Sequence, residues 1–277
     1  MKTRRLLSSP SRQLAAGLGA AGLAAAAIGV LPAGASIPGG VHATAVVPVL
    51  FTVAAHAPVA QMTEDEPTAP AGHPEGEGDY GYTIVTADPT AQTAMAANVW
   101  PGSAAGNAGT LLEVLGAPSQ AGALNDPAQA SAATGSDASK TTTTPNGTTM
   151  SASVEPSGPN DQHTTATSSS AGGGLGQAGT IGNSTSTSSV DFRTNTGLLT
   201  VLARSSASNI DIAGVVKIGS ETSSASAVAD DGAKPTLSGS TDVHDMSVAG
   251  TPAYVDGGGV HLGRPGHPAG STEVDAV

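Results

Sequence analysis

The stretch Leu198-Leu199-Thr200-Val201-Leu202, running on through Asn209-Ile210-Asp211-Ile212 to Val215-Val216-Lys217-Ile218, decides the fold. Its apolar residues come in short, largely β-branched runs, broken by Asn, Gly and Ser. An amphipathic helix needs an apolar stripe repeating about every 3.6 residues, and none exists here. The pattern continues: Ser223 to Ala229 alternates, Asp230-Asp231-Gly232 signals a turn, and Leu237 to Val243 follows. Met246 to Ala249, Ala253-Tyr254-Val255 and Val260-His261-Leu262 complete a set of short strands. Residues 190–262 are therefore expected to form a β domain, with a disordered tail over 263–277.

The preceding segment, 126–189, is rich in Ser, Thr, Ala and Gly. Composition alone allows a disordered stalk or thin β-structure with small residues inside. One regularity points to the second. Ser/Ala/Thr clusters recur near residues 131, 151, 168, 186, 205 and 223, at spacings of 20, 17, 18, 19 and 18. A repeat of that length suits stacked β-coils or a strand meander, each unit burying a face on its neighbour. The expected fold is thus all-β: a thin elongated sheet, meander-like or β-solenoid-like.

Residues 80–125 are expected to hold short strands, Tyr80 to Thr86 and Thr110 to Leu115, around one short helix. That helix is placed after Asp88-Pro89, an N-cap followed by proline at the first helical position, and ends before Pro101. Residues 36–79 divide into an apolar segment, with Val46 to Val53 as a strand, and an acidic Pro/Gly linker over 63–79.

Residues 1–35 have the form of a helical export signal. Lys2, Arg4, Arg5 and Arg12 are its positive region, and Leu14 to Val30 is uncharged and mildly apolar. Ala33-Gly34-Ala35 is the small-x-small pattern of a cleavage site, cut between Ala35 and Ser36. Thr3-Arg4-Arg5-Leu6-Leu7 resembles a twin-arginine signal, so both export routes stay open. Pro48 and Pro58 interrupt the second apolar stretch, so no stable membrane span is expected once the signal is removed.

Composition limits the core. Leu, Ile, Val and Phe together number 48 of 277 residues, below the roughly 20% at which compact cores become hard to assemble. Only six aromatic residues occur, so order must come from strands shielding small side chains. The net charge is −12, and removal of the four leader cations leaves 6 − 22 = −16. Such a surface repels polyanions, which excludes nucleic acid as an expected partner. With no cysteine there is neither disulfide nor thiolate metal site.

The run Ile212 to Ala227, Gly239-Ser240-Thr241, and Met246 to Pro252 followed by Val255-Asp256 carry a resemblance. They resemble segments of exported actinobacterial proteins of unknown function, similar to β-segments of surface proteins with interchangeable C-terminal anchors. The resemblance covers roughly 80–120 and 190–262. It implies an all-β secreted or envelope protein and no particular activity, and no anchor is read after Leu262.

Chemistry-bearing patterns are sparse. There is no Gly-x-Ser-x-Gly elbow and no Ser-x-x-Lys pair. Asp242, His244 and Asp245 cluster an imidazole with two carboxylates, and His261 and His267 follow near Asp256. These residue types bind zinc-like ions when loops bring them together, but the spacing matches no standard site, and solvated loop residues are the plainer account. No cofactor is implied. The expectation is an exported, non-enzymatic structural or envelope-associated protein, with an extracellular polysaccharide-, partner- or cation-binding module as the alternative and a secreted hydrolase behind both. N-terminal sequencing of the exported protein should begin at Ser36; an intact Met1 on extracellular material contradicts the signal.

Overall fold

The computed structural model describes residues 27–30, 51–64, 76–101, 129–157, 161–175, 179–230 and 234–268. These residues are all-β and form two antiparallel sheets, with no helix among them. The smaller sheet contains β1 (Ala27–Val30), β2 (Phe51–Ala57), β3 (Ala60–Glu64), β4 (Gly76–Ala87), β5 (Gln92–Trp100) and β6 (Gln129–Ala133). The larger sheet begins with β7 (Ser139–Thr143), β8 (Thr149–Ser157), β9 (Asp161–Ser170), β10 (Gly173–Gly174), β11 (Gly179–Ile181) and β12 (Ser184–Arg193). It continues with β13 (Leu198–Ile212), β14 (Val216–Ala229), β15 (Thr236–His244), β16 (Met246–Val248), β17 (Thr251–Asp256), β18 (Gly259–Arg264) and β19 (His267–Pro268). Its main path runs β19-β18-β17-β16-β14-β13-β12-β9-β8-β7, with β15 on the other part of β14's edge. Neighbours are antiparallel throughout, so the 18-residue recurrence is a meander and not a stack of coils.

The register gives that recurrence a physical meaning. Ser168 lies opposite Ser186, Ser186 opposite Ser205, and Ser205 opposite Ser223. One strand plus one turn takes about 18 residues, so equivalent serines fall side by side across four strands. All four are buried. Alternate residues in each strand face inward, as the pleat requires: Thr164, Ala166, Ser168 and Ser170 in β9; Ser184, Ser186, Ser188, Val190 and Phe192 in β12.

That face packs on the smaller sheet. One core cluster joins Phe51, Val53, Val85, Ala94, Ala96 and Ala130 of the small sheet to Met150, Ala166, Val190, Leu199 and Val201 of the large one. Phe51 and Phe192 meet across the interface with centroids 4.9 Å apart. Small residues bring the sheets close enough for hydroxyls to bridge them. Thr83 and Ser188 hydroxyls lie 2.9 Å apart, and Ser188 also donates to the Thr83 carbonyl at 3.2 Å. Ser186 donates to the Gly81 carbonyl, and Thr164 donates to the Gln92 side-chain carbonyl. Each such bond contributes about 1 kcal/mol, and an unpaired buried hydroxyl would cost at least that.

Several expectations change. The helix after Asp88 is a hairpin leading into β5. Asp88 Oδ1 accepts the amides of Thr90 at 2.7 Å and Ala91 at 2.8 Å, and the Thr90 hydroxyl at 2.8 Å. An N-cap and a side-chain-closed turn use the same bonds, so the local signal fits both, and pairing with β4 and β6 decides. The linker over 63–79 loses its ends: Thr63 and Glu64 belong to β3, and Gly76 to Asp79 open β4. Within residues 1–35, expected to be a helical signal, Ala27–Val30 is a strand, because the edge of β2 offers ladder partners, Ala27 opposite Ala54. The polar middle is strand wherever it is described, apart from turns. The tail expected to be disordered from residue 263 begins as strand, with Gly263 opposite Pro268 and Arg264 opposite His267. Cleavage residues Ala35 and Ser36, the strand over 110–115 and residues 269–277 lie outside the described residues. No described helix is long and apolar enough to cross a membrane.

Two local devices shape the sheets. Gly81, at φ +60°, switches faces in β4: Tyr80 packs with Ile181 and Ile210, while Tyr82 stacks at 5.6 Å on Trp100 in a separate cluster. Ala213-Gly214 and Ala249-Gly250 are paired positive-φ residues joining β13 to β14 and β16 to β17. These are type I′ turns, whose twist suits hairpins, and Val215 N–H closes the first on Ile212 O at 2.9 Å.

A Cβ at Gly81 would lie 2.7 Å from Val59 Cγ2. Gly81→Ala should therefore lower unfolding stability by roughly 2–4 kcal/mol, from left-handed strain and overpacking together, read as a shift in the urea midpoint. An unchanged midpoint would contradict this account of the face switch.

Candidate functional site

Seven strands, β7-β8-β9-β12-β13-β14-β15, present their other face outward, and their registers align it into rows. One row is Thr143, Thr149, Ser169, Thr185, Ser206, Thr222 and Asp242. The next is Thr141, Ser151, Thr167, Thr187, Arg204, Ser224 and Ser240. The third is Ser139, Ser153, Thr165, Ser189, Leu202, Ser226 and Ser238. All but three of these positions (Leu202, Arg204 and Asp242) carry a hydroxyl. Within a row neighbours are about 4.8 Å apart, and rows are separated by two residues, about 6.7 Å. The hydroxyls pair where strands meet: Ser224 with Ser240 at 3.2 Å, Ser226 with Ser238 at 2.7 Å. A shallow groove of about 300 Å³ runs over this face, lined by Thr185, Thr187, Arg204, Ser206, Thr222, Ser224 and Ser240 among others.

A fourth row holds a connected acid–base chain. His163 in β9 lies opposite Asp191 in β12 and Glu155 in β8. Its Nδ1 is 2.7 Å from Asp191 Oδ1, and its Nε2 is 3.0 Å from the Thr165 hydroxyl. A carboxylate on Nδ1 holds the proton there, which leaves Nε2 to accept from Thr165. That order of orienting acid, base and hydroxyl is what nucleophilic catalysis needs. The surroundings differ from a working hydrolase, because strand amides next to Thr165 are committed to ladder bonds with β8 and β12, not free to stabilise an oxyanion.

At the far end of the large sheet, His261 stacks on Tyr254 with centroids 5.1 Å apart and bonds Asp256 Oδ1 through Nε2 at 2.9 Å. The Gly258 amide donates to the same oxygen at 2.7 Å. These contacts, the amide first and His261 next, hold the Asp256 carboxyl below its ordinary value. Asp88 is held low in the same way, first by the Thr90 amide.

The sequence-singled cluster does not assemble. Asp242 and His244 share the exposed outer side of β15, and Asp245 sits at φ +55° in the break before β16, with its Cβ against Gly219. Among the described residues no three His, Asp or Glu side chains converge as a metal site requires. Gly257 and Gly258 are the turn between β17 and β18. Beside Trp100, the acid present is Asp79, buried opposite it in the ladder with His56 Nε2 at 3.9 Å. Sequence reading missed the rows and the His163 chain. Thr185-x-Thr187 and Thr165-x-Thr167 hint at an alternating hydroxyl face, but His163 and Asp191 are 28 residues apart and only the register joins them.

No protein-family model, curated protein or solved structure matches this chain.

The low Asp256 carboxyl has a signed consequence. Its stabilising contribution is complete above the ordinary value of 3.8 and is lost as pH falls through the lower folded value. Carboxyl NMR titration should place the Asp256 midpoint below 3.8. His261→Ala should raise it partway, since the Gly258 amide remains. A midpoint at the ordinary value in the unsubstituted protein would contradict the loop geometry.

Proposed function

We propose that this chain is an exported, non-enzymatic structural protein of the cell envelope, and that its outer hydroxyl face is its working surface. The observation that carries this reading is the alignment of Ser and Thr in three rows across seven strands. A broad, rigid array of hydroxyls offers many weak hydrogen bonds at fixed spacing. That suits a long hydroxylated polymer better than a small ligand, which needs a concave, largely apolar pocket. The leader pattern of residues 1–35 supports export, and the acidic charge supports solubility outside the cell.

The alternative of a discrete binding module draws on the Tyr254–His261 stack, which gives a sugar ring an aromatic face beside the Asp256 carboxylate. A hydrolase reading draws on the Asp191–His163–Thr165 chain. The three separate by experiment. The exported protein should sediment with isolated cell walls, and Thr187→Tyr with Ser224→Tyr should release it while circular dichroism stays unchanged. Release by Tyr254→Ala instead would favour the discrete module. Covalent labelling of Thr165 by a fluorophosphonate probe would replace both with the enzyme. Wild-type protein left wholly in the wash would end the envelope reading.

A further inference from the structure

The large sheet has an open flank. β15 is hydrogen-bonded to β14 on one side and to no other described strand. Thr236 to Asp242 are all exposed, and Leu237 is the most exposed large apolar side chain described, at 68%. Free strand edges are templates for pairing, and proteins usually blunt them with lysine, proline or a bulge. Thr236–His244 contains neither lysine nor proline, and its backbone shows no positive φ until Asp245.

We propose that β15 pairs antiparallel with β15 of a second copy, about a two-fold axis through Ser240, so that two large sheets become one. Three features of the strand select this partner and register. Pairing Ser240 with itself keeps both hydroxyl faces on one side, whereas a one-residue slip would turn the copies over. It sets Leu237 opposite the half-buried Val243 of the other copy on the inward side, covering the exposed leucine. It also opposes Asp242 to Ser238 and His244 to Thr236, so no two carboxylates face each other. The new junction repeats the hydroxyl pairing by which Ser240 and Ser238 already bond β14. The contact is isologous and closes at two copies.

The absence of cysteine makes the test clean. Directly opposed residues in an antiparallel pair are about 4.5–5.5 Å apart at Cα, within disulfide reach. Under mild oxidation the exported Ser240→Cys protein should form a disulfide dimer. Thr236→Cys should not, because its two copies would lie about 27 Å apart. Adding Leu237→Lys to Ser240→Cys should abolish the cross-link while circular dichroism shows the fold intact. A Ser240→Cys protein that stays monomeric, or equal cross-linking at positions 236 and 240, overturns the proposal. Cell-wall sedimentation of Leu237→Lys reads the envelope function separately, since the hydroxyl rows are untouched.

Discussion

Everything in this fold depends on how closely two sheets can approach when few bulky side chains separate them. Ser186 reaches from β12 to a backbone carbonyl of β4, and Thr83 and Ser188 touch hydroxyl to hydroxyl. Such bonds form only because Ala55, Ala57, Ala94, Ala96, Ala130 and Ala166 leave little between the layers. Apolar burial per residue is then modest, and the polar inward groups must be satisfied across the gap. Larger side chains in the core would separate the layers and strand those hydroxyls.

The core is graded along the strands. At one end Phe51, Phe192, Leu199 and Val201 fill space as an ordinary apolar core would. Towards the other, serine replaces them, and Tyr80 extends its hydroxyl to Ser170 at 3.1 Å while Gly173 leaves the room it needs. Beyond the serines a second cluster around Ile210, Ile218 and Met246 takes over.

Strand identity over 198–262 was legible because apolar runs there are short, β-branched and separated by turn residues. The serine recurrence was legible as a period, but period alone does not distinguish coils from a meander; strand direction does, and that is set by turns too varied to read. Residues 92–100 misled because Asp88-Pro89 carries the signal of a helix start while the ladders on both sides of β5 hold the segment extended. The candidate site was mostly illegible. Asp242, His244 and Asp245 are near in sequence, and alternation keeps the first two on one side of β15, but the left-handed bend at Asp245 turns the third away. His163, Thr165 and Asp191 come together only through register.

The two type I′ turns bear on how the molecule ages. Their first left-handed position usually favours asparagine before glycine, and alanine there costs roughly 1 kcal/mol of strain. An asparagine preceding glycine, however, cyclises readily to a succinimide and emerges as a damaged, charged residue. Ala213-Gly214 and Ala249-Gly250 are immune to that reaction, and a chain without cysteine is immune to thiol oxidation as well. Asn146-Gly147, exposed between β7 and β8, is the single Asn-Gly pair, so spontaneous chemical decay of a long-lived copy would begin there.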